Sequence, residues 1–313
     1  MNTHLAAEDM GANTRHWVVV ILNWNGAEKT LACIRSVDAA AEKCSDIALS
    51  GIVVDNGSTP NSLSAVRTDV NERRNWRLLS LEQNYGFSRG MNVGIEAAGQ
   101  MGASHVLLLN NDTELDVNAI AALADAQGRQ RESILGLAVE TSTLRGRRVI
   151  AGYRYLSWFG MAYAVPLKDE LADKHAKAPP RIDYVCGSAM LCDVAFLKKV
   201  GGIPENSFLY FEELRLARAL SPTEKPICCP TAKVNHSSGA SAVDLSSPSR
   251  HYYAAYACYR YTLDYGPMKL PTVVFARVLR LTYASVVTRS LTPVTEGIQA
   301  LFDCFSEGER RTG

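Results

Sequence analysis

The sequence predicts an α/β fold with a parallel sheet covered by helices on both faces, and two observations indicate it. Short apolar runs alternate with longer stretches whose apolar residues recur at helical spacing. The first run, residues 17–22, is apolar throughout, as expected of a strand that is buried on both faces. An apolar share of 47% in 313 residues supplies the core that such a fold requires and argues against intrinsic disorder.

Strands and helices alternate regularly in the first part of the chain. The pattern predicts strands over residues 17–22, 51–54, 76–81 and 106–109, and helices over residues 27–41, 61–70 and 88–99. Further along, it predicts a helix (116–127), a strand (134–139) and a less regular stretch to Pro180. A strand interrupted by small residues (183–191) and a short helix from Asp193 to Gly201-Gly202 follow. The pattern then predicts a strand at Cys228-Cys229 and a mainly helical tail from Pro248.

Polar clusters follow the first four predicted strands. In open α/β sheets, ligands bind at the carboxyl ends of the strands, which lie along one edge. Asn, Asp and Gly are also ordinary turn residues, so an inert turn is the better explanation of any single cluster. Four clusters on one edge predict a binding site. They are Asn23-Trp24-Asn25, Asp55-Asn56, Asn84-Tyr85-Gly86 and Asn110-Asn111-Asp112.

The common glycine-rich phosphate cradles are absent from the sequence. No G-x-G-x-x-G opens the first predicted helix, and no G-x-x-x-x-G-K-[ST] occurs. The other common way to hold a diphosphate is a divalent cation bound by an aspartate at a strand end. The formal net charge of +1 also removes the general basic field expected of a protein that binds nucleic acid.

Composition also bears on the cellular compartment. We expect residues 1–16 to form a disordered polar tail, because they lack the basic-then-apolar order of a signal peptide. No run of about 18 uninterrupted apolar residues predicts a transmembrane helix. The eight cysteines are scattered without a Cys-x-x-Cys pair, so we expect reduced, buried thiols in a cytoplasmic protein rather than a metal cluster.

The tail contains an apolar stretch with regularly placed arginines. Residues 271–291 include Arg277, Arg280 and Arg289, and no acid lies between Lys269 and Arg289. A basic amphipathic helix of this kind can lie on an anionic membrane face. A helix packed on the protein with its arginines in water explains the pattern equally well.

Three other features have both a functional and a structural interpretation. Glu212 and Glu213 follow an aromatic cluster at the start of a predicted helix, where carboxylates are also favoured by the helix dipole. His236 is either a metal ligand or a hydrogen-bonded surface residue. The aromatic residues between Tyr153 and Tyr163 either stack on a sugar ring or pack in the core.

The order of these motifs resembles the family 2 glycosyltransferases, and most closely their bacterial rhamnosyltransferase-type branch. The motifs are VVILNWNG, IVVDNGS, NYGFSRGMNVGI, LLLNNDTEL, a Cys-Gly-Ser-Ala-Met-Leu strand, GGIPENSFLYFEE and HSSGAS, over residues 17–265. The resemblance implies the GT-A fold: a Rossmann-like nucleotide-sugar half with a mixed central sheet (17–115), an acceptor half (116–245) and C-terminal helices (246–313).

The resemblance also implies roles for individual residues. Asp55 matches the acid that binds the base or ribose of the nucleotide, with Asn23, Asn25 and Asn56 on the same edge. Asn84, Gly86, Arg89 and Asn92 belong to the segment that flanks the nucleotide sugar. Asn110 and Asn111 take the first two positions of the family's Asp-x-Asp motif, and Asp112 takes that of its metal ligand. His236 matches a histidine that completes the metal site in some members.

The implied reaction is an inverting sugar transfer assisted by Mg²⁺ or Mn²⁺. Glu213, with Glu212 beside it, falls where the family has the Asp that acts as catalytic base. Two departures are evident: Asn110 and Asn111 replace acids, and Arg215 stands where a second acid is usual. We expect Arg215 to pair either with Glu212 or with an acidic acceptor.

The implied donor is a nucleotide diphosphate sugar, with rhamnose from dTDP-rhamnose as first choice. The implied acceptor is a hydroxyl of a bacterial surface glycan, such as lipopolysaccharide, or of a lipid-linked saccharide. A UDP-sugar transferase, for example a galactofuranosyltransferase, and a degenerate nucleotide-sugar- or carbohydrate-binding protein without turnover are the alternatives. We expect a cytoplasmic protein, with peripheral contact to the inner face of the membrane through its C-terminal helices.

Overall fold

The computed structural model describes residues 15–129, 133–143, 146–167, 180–236 and 250–311. Most of the expected tail at residues 1–16, and the part of the HSSGAS motif after His236, lie outside these residues. Arg15 and His16 were expected in the tail, but they already belong to the first strand.

The chain alternates strands and helices in its first part, as predicted. The strands are β1 (Arg15–Asn23), β2 (Ile47–Asp55), β3 (Trp76–Ser80), β4 (His105–Asn110), β5 (Thr113–Leu115), β6 (Ile134–Thr143), β7 (Gly146–Leu156), β8 (Met161–Pro166), β9 (Ala189–Asp193) and β10 (Ile227–His236). The helices are α1 (Ala27–Ala41), α2 (Pro60–Asn71), α3 (Phe87–Gln100), α4 (Ala119–Arg129), α5 (Val194–Val200), α6 (Glu212–Arg218), α7 (Arg250–Tyr265), α8 (Leu270–Thr288) and α9 (Thr292–Arg311).

The described strands form one mixed sheet that runs through both predicted halves. The order is β3-β2-β1-β4-β9-β6-β10-β5, and β7 and β8 extend from β6 as a hairpin. Strands β1 to β4 are mutually parallel, whereas β9 is antiparallel to both β4 and β6. Because β10 is parallel to β6, β6 and β10 run in the same direction as β4.

Burial on both faces explains the uninterrupted apolar sequences of the central strands. In β1, Trp17, Val19 and Ile21 pack in one apolar core, and Val18 and Val20 pack in a second core on the opposite face. Side chains alternate between faces along a strand, so a strand in the middle of this sandwich must be apolar at every position. A third, separate apolar cluster joins α7, α8 and α9.

The structure differs from the sequence prediction in the middle of the chain. The stretch before Pro180 was expected to be irregular, but it contains the β7–β8 hairpin. Much of β8 is exposed, so its sequence lacks the apolar alternation of a half-buried strand. The strand expected over residues 183–191 contracts to β9, and Tyr184 forms only an isolated bridge with Tyr153.

Several local predictions are confirmed. Asp193 caps α5 by accepting a hydrogen bond from the backbone N–H of Phe196, and Gly201 ends the helix in the left-handed conformation. All eight cysteines are buried. The described part of the tail is helical and contains α7, α8 and α9.

The tail departs from one expectation. The sequence predicted no transmembrane helix, but residues 267–288, with a mean hydropathy of 1.4, are long and apolar enough to cross a membrane by length and composition alone.

Candidate active site

The sheet topology brings the predicted polar clusters to one edge. The parallel strands β3, β2, β1 and β4 end there, next to the residues that follow each strand. Strand β10 runs in the same direction and ends at His236 on this edge. Strand β9 runs in the opposite direction and therefore begins there, so the backbone N–H of Asn110 donates to the carbonyl of Ser188 at 2.9 Å.

Asn23 and Asp55 form a buried pair where β1 and β2 end side by side. Asn23 Nδ2 donates to Asp55 Oδ1 at 2.7 Å, and the backbone N–H of Ser58 donates to Asp55 Oδ2 at 3.0 Å. Asn23 Oδ1 accepts from the hydroxyl of Thr30 at 2.8 Å. Neither Asn23 nor Asp55 has any exposed surface.

This burial gives Asp55 a role inside the protein. Each of its oxygens accepts one hydrogen bond from the protein, so Asp55 fixes the loop after β2. Each carboxylate oxygen has a second lone pair, and the expected contact of Asp55 with the base or ribose of a nucleotide stays a prediction. Asn25 is the exposed member of the cluster, and its Oδ1 accepts from the backbone N–H of Thr59 at 2.8 Å.

A second asparagine pair shapes the loop before α3. Asn56 Nδ2 donates to Asn84 Oδ1 and to the carbonyl of Gly86, both at 3.0 Å. Gly86 has a left-handed backbone (φ 87°), and a side chain there would collide with the carbonyl of Phe208. Arg89 is exposed and lies over the ring of Tyr85, with its guanidinium carbon 4.1 Å from the ring centroid.

Asn92 links α3 to the loop after α5. Its Nδ2 donates to the carbonyl of Ile203 and to Glu205 Oε1, both at 2.8 Å, and its Oδ1 accepts from the backbone N–H of Ile203 at 2.8 Å. These bonds hold the loop. The expected place of Asn92 in the segment that flanks the nucleotide sugar stays a prediction.

Asn110 and Asn111 follow β4 in different environments. Asn111 Nδ2 lies within 3.4 Å of Asn23 Oδ1 and the carbonyl of Gly26, and 3.2 Å from the hydroxyl of Thr30, so it holds the loop after β1. Asn110 Oδ1 is buried and has no hydrogen-bond partner among the described residues. An unpaired buried acceptor at a ligand edge marks a position where a ligand can supply the missing donor.

Asp112 and His236 lie close together because β10 pairs with β5. His236 ends β10 directly opposite Thr113, the residue after Asp112. His236 Nε2 lies 3.2 Å from Asp112 Oδ1. That oxygen is buried and has no well-aligned hydrogen bond within the described residues. Asp112 Oδ1 therefore lies within ion-pair distance of the imidazole of His236 without an aligned hydrogen bond.

This geometry fits a divalent cation. When two ligand atoms each lie about 2.1 Å from one ion and their bonds to it form a right angle, the two atoms are about 3 Å apart. Among the described residues, no third His, Cys, Asp or Glu completes a cluster. One carboxylate and one imidazole leave most coordination positions for water and phosphate oxygens, which is how Mg²⁺ is commonly held in nucleotide sites. A cavity of about 150 Å³ adjoins Asp112, with Glu28 and Glu114 in its wall.

The carboxylate pair sits at the start of α6 after a strained turn. Tyr210 and Phe211 both have left-handed backbones, with φ of 76° and 71°, which is uncommon for bulky residues. Glu212 is only 4% exposed and its Oε1 is buried without a hydrogen-bond partner in the described part of the chain. Glu213 is partly exposed, so it is the more accessible residue of the two.

Glu213 lies against the entrance to β9, at the same sheet edge. A side chain at Gly187 would overlap the carboxylate of Glu213, so only glycine allows this approach. Tyr153 and Tyr184 stack with ring centroids 5.2 Å apart. Burial raises the pKa of Tyr184, and the nearby charge of Glu213 raises it further. The hairpin that the sequence did not predict therefore supplies one wall beside Glu213.

Both carboxyl groups hold their protons more tightly than ordinary glutamates. Burial raises the pKa of Glu212 to about 8, with repulsion from Glu213 as a second cause. Burial also raises the pKa of Glu213, while the backbone N–H groups of Glu213 and Gly187 act in the opposite direction. A carboxylate with a raised pKa is a stronger base than an ordinary one.

Among the described residues, Arg215 forms its ion pair with Asp264 and not with Glu212. Its Nη1 donates to Asp264 Oδ2 on α7 at 2.7 Å, and its side chain is 1% exposed. Its guanidinium lies 5.4 Å and 5.5 Å from the ring centroids of Tyr261 and Tyr265. No local pattern in the sequence indicates this pair, because Asp264 lies 49 residues away along the chain. Pairing of Arg215 with an acidic acceptor stays a prediction.

Comparison with known proteins identifies this arrangement. Residues 18–200, more than half of the chain, match the glycosyl transferase family 2. The chain belongs to this family. The match begins in β1 and ends with α5, so it includes the ends of β1, β2, β3 and β4 and the start of β9.

A curated relative supports the same family. The low-salt glycan biosynthesis hexosyltransferase Agl10 of Haloferax volcanii is 24% identical over 206 residues, which are 63% of this chain. The aligned region spans 58% of that relative's length.

Two solved glycosyltransferases share the fold of this family 2 chain. GalNAc-T7, crystallised with UDP, GalNAc and Mn²⁺, superposes with a TM-score of 0.61 at 16% identity, over 81% of this chain and 48% of its own. The mannosyltransferase PcManGT of Pyrobaculum calidifontis, in complex with GDP-Man and Mn²⁺, superposes with a TM-score of 0.56 at 12% identity. The superposition covers 95% of this chain and 87% of PcManGT. The GT-A fold implied by the motifs is confirmed.

Some contributors to this family 2 site escaped the sequence prediction. Thr30 and Ser58 organise the loops around Asn23, and Gly187 and Tyr184 contact or approach Glu213. Ser58 was visible in the sequence three residues after Asp55, a spacing typical of a turn closed by an aspartate side chain. The positions of Gly187 and Tyr184 depend on long-range pairing that no local pattern records.

Proposed function

We propose that this chain is an inverting hexosyltransferase that moves a sugar from a nucleotide diphosphate donor to an acceptor hydroxyl. One observation carries the proposal: Glu213, a partly exposed residue whose carboxyl group has a raised pKa, lies against Gly187 at the sheet edge where Asp112 and His236 also meet. A base and a cation site on one edge are what direct displacement at an anomeric carbon requires.

Glu213 is the proposed base. Its carboxylate accepts the proton of the acceptor hydroxyl as the oxygen attacks the anomeric carbon, and the bond to the nucleotide diphosphate breaks on the opposite side. Burial and the charge of Glu213 raise the pKa of Glu212 to about 8, so Glu212 stays protonated beside the base at neutral pH. A positioned base of this kind contributes about 100- to 10,000-fold to the rate.

Asp112 and His236 are the proposed ligands of Mg²⁺ or Mn²⁺. When bound, the cation neutralises the negative charge that develops on the leaving diphosphate. Asn25, Asn84, Arg89, Asn110 and Asn111 surround the same edge and form the proposed donor contacts. Asn23, Asp55, Asn56 and Gly86 hold the loops that carry them.

Rhamnose from dTDP-rhamnose is the proposed donor because the motifs most resemble the rhamnosyl branch. A UDP sugar, including a galactofuranosyl donor, is the second candidate, since GalNAc-T7 was crystallised with UDP. Screening dTDP-rhamnose, UDP sugars and GDP-mannose for donor hydrolysis, with and without Mn²⁺, tests both. Metal-dependent release of nucleoside diphosphate supports a transferase. Donor binding without release from any of the sugars would instead indicate a binding protein on a transferase scaffold.

The proposed acceptor is a hydroxyl of a surface glycan or a lipid-linked saccharide, and the proposed location is the cytoplasmic face of the membrane. Helix α8 supports contact with a membrane, because the exposed fractions of its Phe275, Tyr283 and Val286 are 66%, 72% and 70%. Apolar side chains of this size are seldom exposed in a row unless they meet an apolar partner.

Flotation with vesicles tests the membrane contact. We expect the wild-type chain to float with vesicles of 70% phosphatidylcholine and 30% phosphatidylglycerol, and Phe275→Glu with Val286→Glu to remain in the soluble fraction. The matched control is Val117→Glu, at an exposed apolar position before α4. Equal flotation of the double variant and the wild type would contradict the contact.

A further inference from the structure

A cavity of about 260 Å³ lies between α7 and α8, beside the turn that leads into Glu212 and Glu213. Arg250, Arg277, Arg280 and His251 line it together with Tyr210. The site described above makes no use of these cationic residues. The catalytic site is itself linked to the cavity, because Tyr210 precedes the carboxylate pair in the same strained turn.

The arginines converge on one cavity. Among the described residues, neither Arg250 nor Arg280 forms an ion pair, and Arg277 donates only to the carbonyl of Ala254, at 3.2 Å. Burial lowers the pKa of His251, and all three arginines lower it further, while Glu296 acts in the opposite direction. Three cations around one concavity fit a multiply charged anion.

The apolar surface next to the cavity indicates what else the ligand contains. The outer side of α8 exposes Phe275, Val278, Leu279, Tyr283, Val286 and Val287. The tip of the β7–β8 hairpin continues this surface: it exposes Trp158 and Phe159, and Thr272 on α8 donates to the carbonyl of Trp158 at 2.7 Å. A free phosphate would not need this surface, and an uncharged lipid would not need the arginines.

We propose that the cavity binds the phosphate or diphosphate of a lipid-linked saccharide, the acceptor of the transfer, and that the exposed face of α8 carries its lipid chain. The inference rests on the proposed function, because it gives the acceptor site its chemical class. Tyr210 forms one wall of the cavity and lies three residues before Glu213. A saccharide attached to the bound phosphate therefore extends towards the base.

Binding of farnesyl diphosphate, measured by isothermal titration calorimetry, tests the assignment directly. We expect the wild-type chain to bind farnesyl diphosphate more tightly than farnesol or inorganic diphosphate. The double variant Arg250→Gln with Arg280→Gln should lose at least about 30-fold in affinity, since each charge-assisted hydrogen bond contributes about tenfold or more. The matched control is Arg289→Asn, which removes a charge from the end of α8 outside the cavity and keeps a residue that tolerates the left-handed backbone (φ 53°) there.

The other sources of an anion give different results. Inorganic diphosphate that binds as tightly as farnesyl diphosphate would overturn the lipid assignment. Loss of UDP and dTDP binding in the double variant would place the cavity in the donor site. Loss of flotation with phosphatidylglycerol vesicles, with farnesyl diphosphate binding unchanged, would make the cavity a site for bulk lipid headgroups.

Donor hydrolysis is measured in parallel with farnesyl diphosphate binding. If donor hydrolysis occurs but farnesyl diphosphate does not bind, this inference alone fails. If farnesyl diphosphate binds but no turnover occurs, the proposed function fails.

Discussion

His236 Nε2 lies 3.2 Å from Asp112 Oδ1, at the junction of two strands that are more than a hundred residues apart in sequence. The carboxylate oxygen is buried and has no well-aligned hydrogen bond among the described residues. A cation bound by Asp112 would compensate the desolvation cost of this buried carboxylate.

Removing Asp112 should therefore weaken the metal-dependent part of nucleotide-sugar binding and leave the metal-independent part. We expect Asp112→Ala to lower the affinity for a nucleotide sugar in the presence of Mn²⁺ by about 10- to 100-fold and to abolish turnover. Glu42→Ala is the matched control, because Glu42 is an exposed carboxylate at the end of α1. Titration calorimetry with and without Mn²⁺ measures the difference. Unchanged Mn²⁺ dependence in Asp112→Ala would remove this residue from the metal site.

Gly187 should be required for the position of the proposed base. We expect Gly187→Ala to displace the carboxylate of Glu213 and to lower kcat by about 100-fold, the cost typical of a misplacement near 1 Å, while donor affinity is retained. Gly128→Ala on α4 is the control, since a methyl group there meets nothing within 4 Å. A kcat for Gly187→Ala equal to that of the control would show that the contact does not position Glu213.

Arg215 and Asp264 should behave as a buried ion pair. We expect Asp264→Asn to destabilise the protein by about 3 kcal/mol, because it leaves the buried guanidinium without its carboxylate. Arg215→Met should cost less, since it removes the charge and keeps an apolar side chain beside Tyr261 and Tyr265. Urea unfolding measures both, with the exposed Arg67→Gln as control. A larger loss for Arg215→Met than for Asp264→Asn would contradict this interpretation.

The raised pKa of Glu212 makes stability depend on pH. Between the ordinary glutamate pKa and about 8, the folded chain holds a proton that the unfolded chain has lost, so stability falls as pH rises through this window. The wild type should therefore lose about 1.4 kcal/mol per pH unit relative to Glu212→Gln in this range. Unfolding in urea from pH 5 to pH 8 measures the two slopes. Parallel slopes would show that Glu212 titrates normally.

The sequence predicted the parts of the fold that depend on local pattern. The four parallel strands and their helices were recognised because strands buried on both faces must be apolar throughout, and the helix over residues 27–41 coincides with α1. The β7–β8 hairpin was missed because β8 is largely exposed and has no apolar alternation. The single bridge of Tyr184 with Tyr153 likewise has no local signature.

The candidate site was predictable where strand ends determine it. Asn23, Asp55 and Asp112 follow parallel strands, so their common edge follows from topology. Their individual roles do not: Asp55 is buried with both oxygens bonded, and Asn92 holds a loop. These outcomes depend on burial and on partners distant in sequence. The pairing of Arg215 with Asp264 has the same origin.

Replacing the proposed base tests the central claim most directly. Glu213→Gln keeps the size of the side chain but cannot accept a proton, and Glu72→Gln, on an exposed surface, controls for the substitution itself. With Mn²⁺ present, we predict donor affinity within about twofold of wild type and turnover reduced by about 100-fold or more in Glu213→Gln. Turnover equal to that of the wild type in this variant would contradict the assignment of Glu213 as the base and the mechanism built on it.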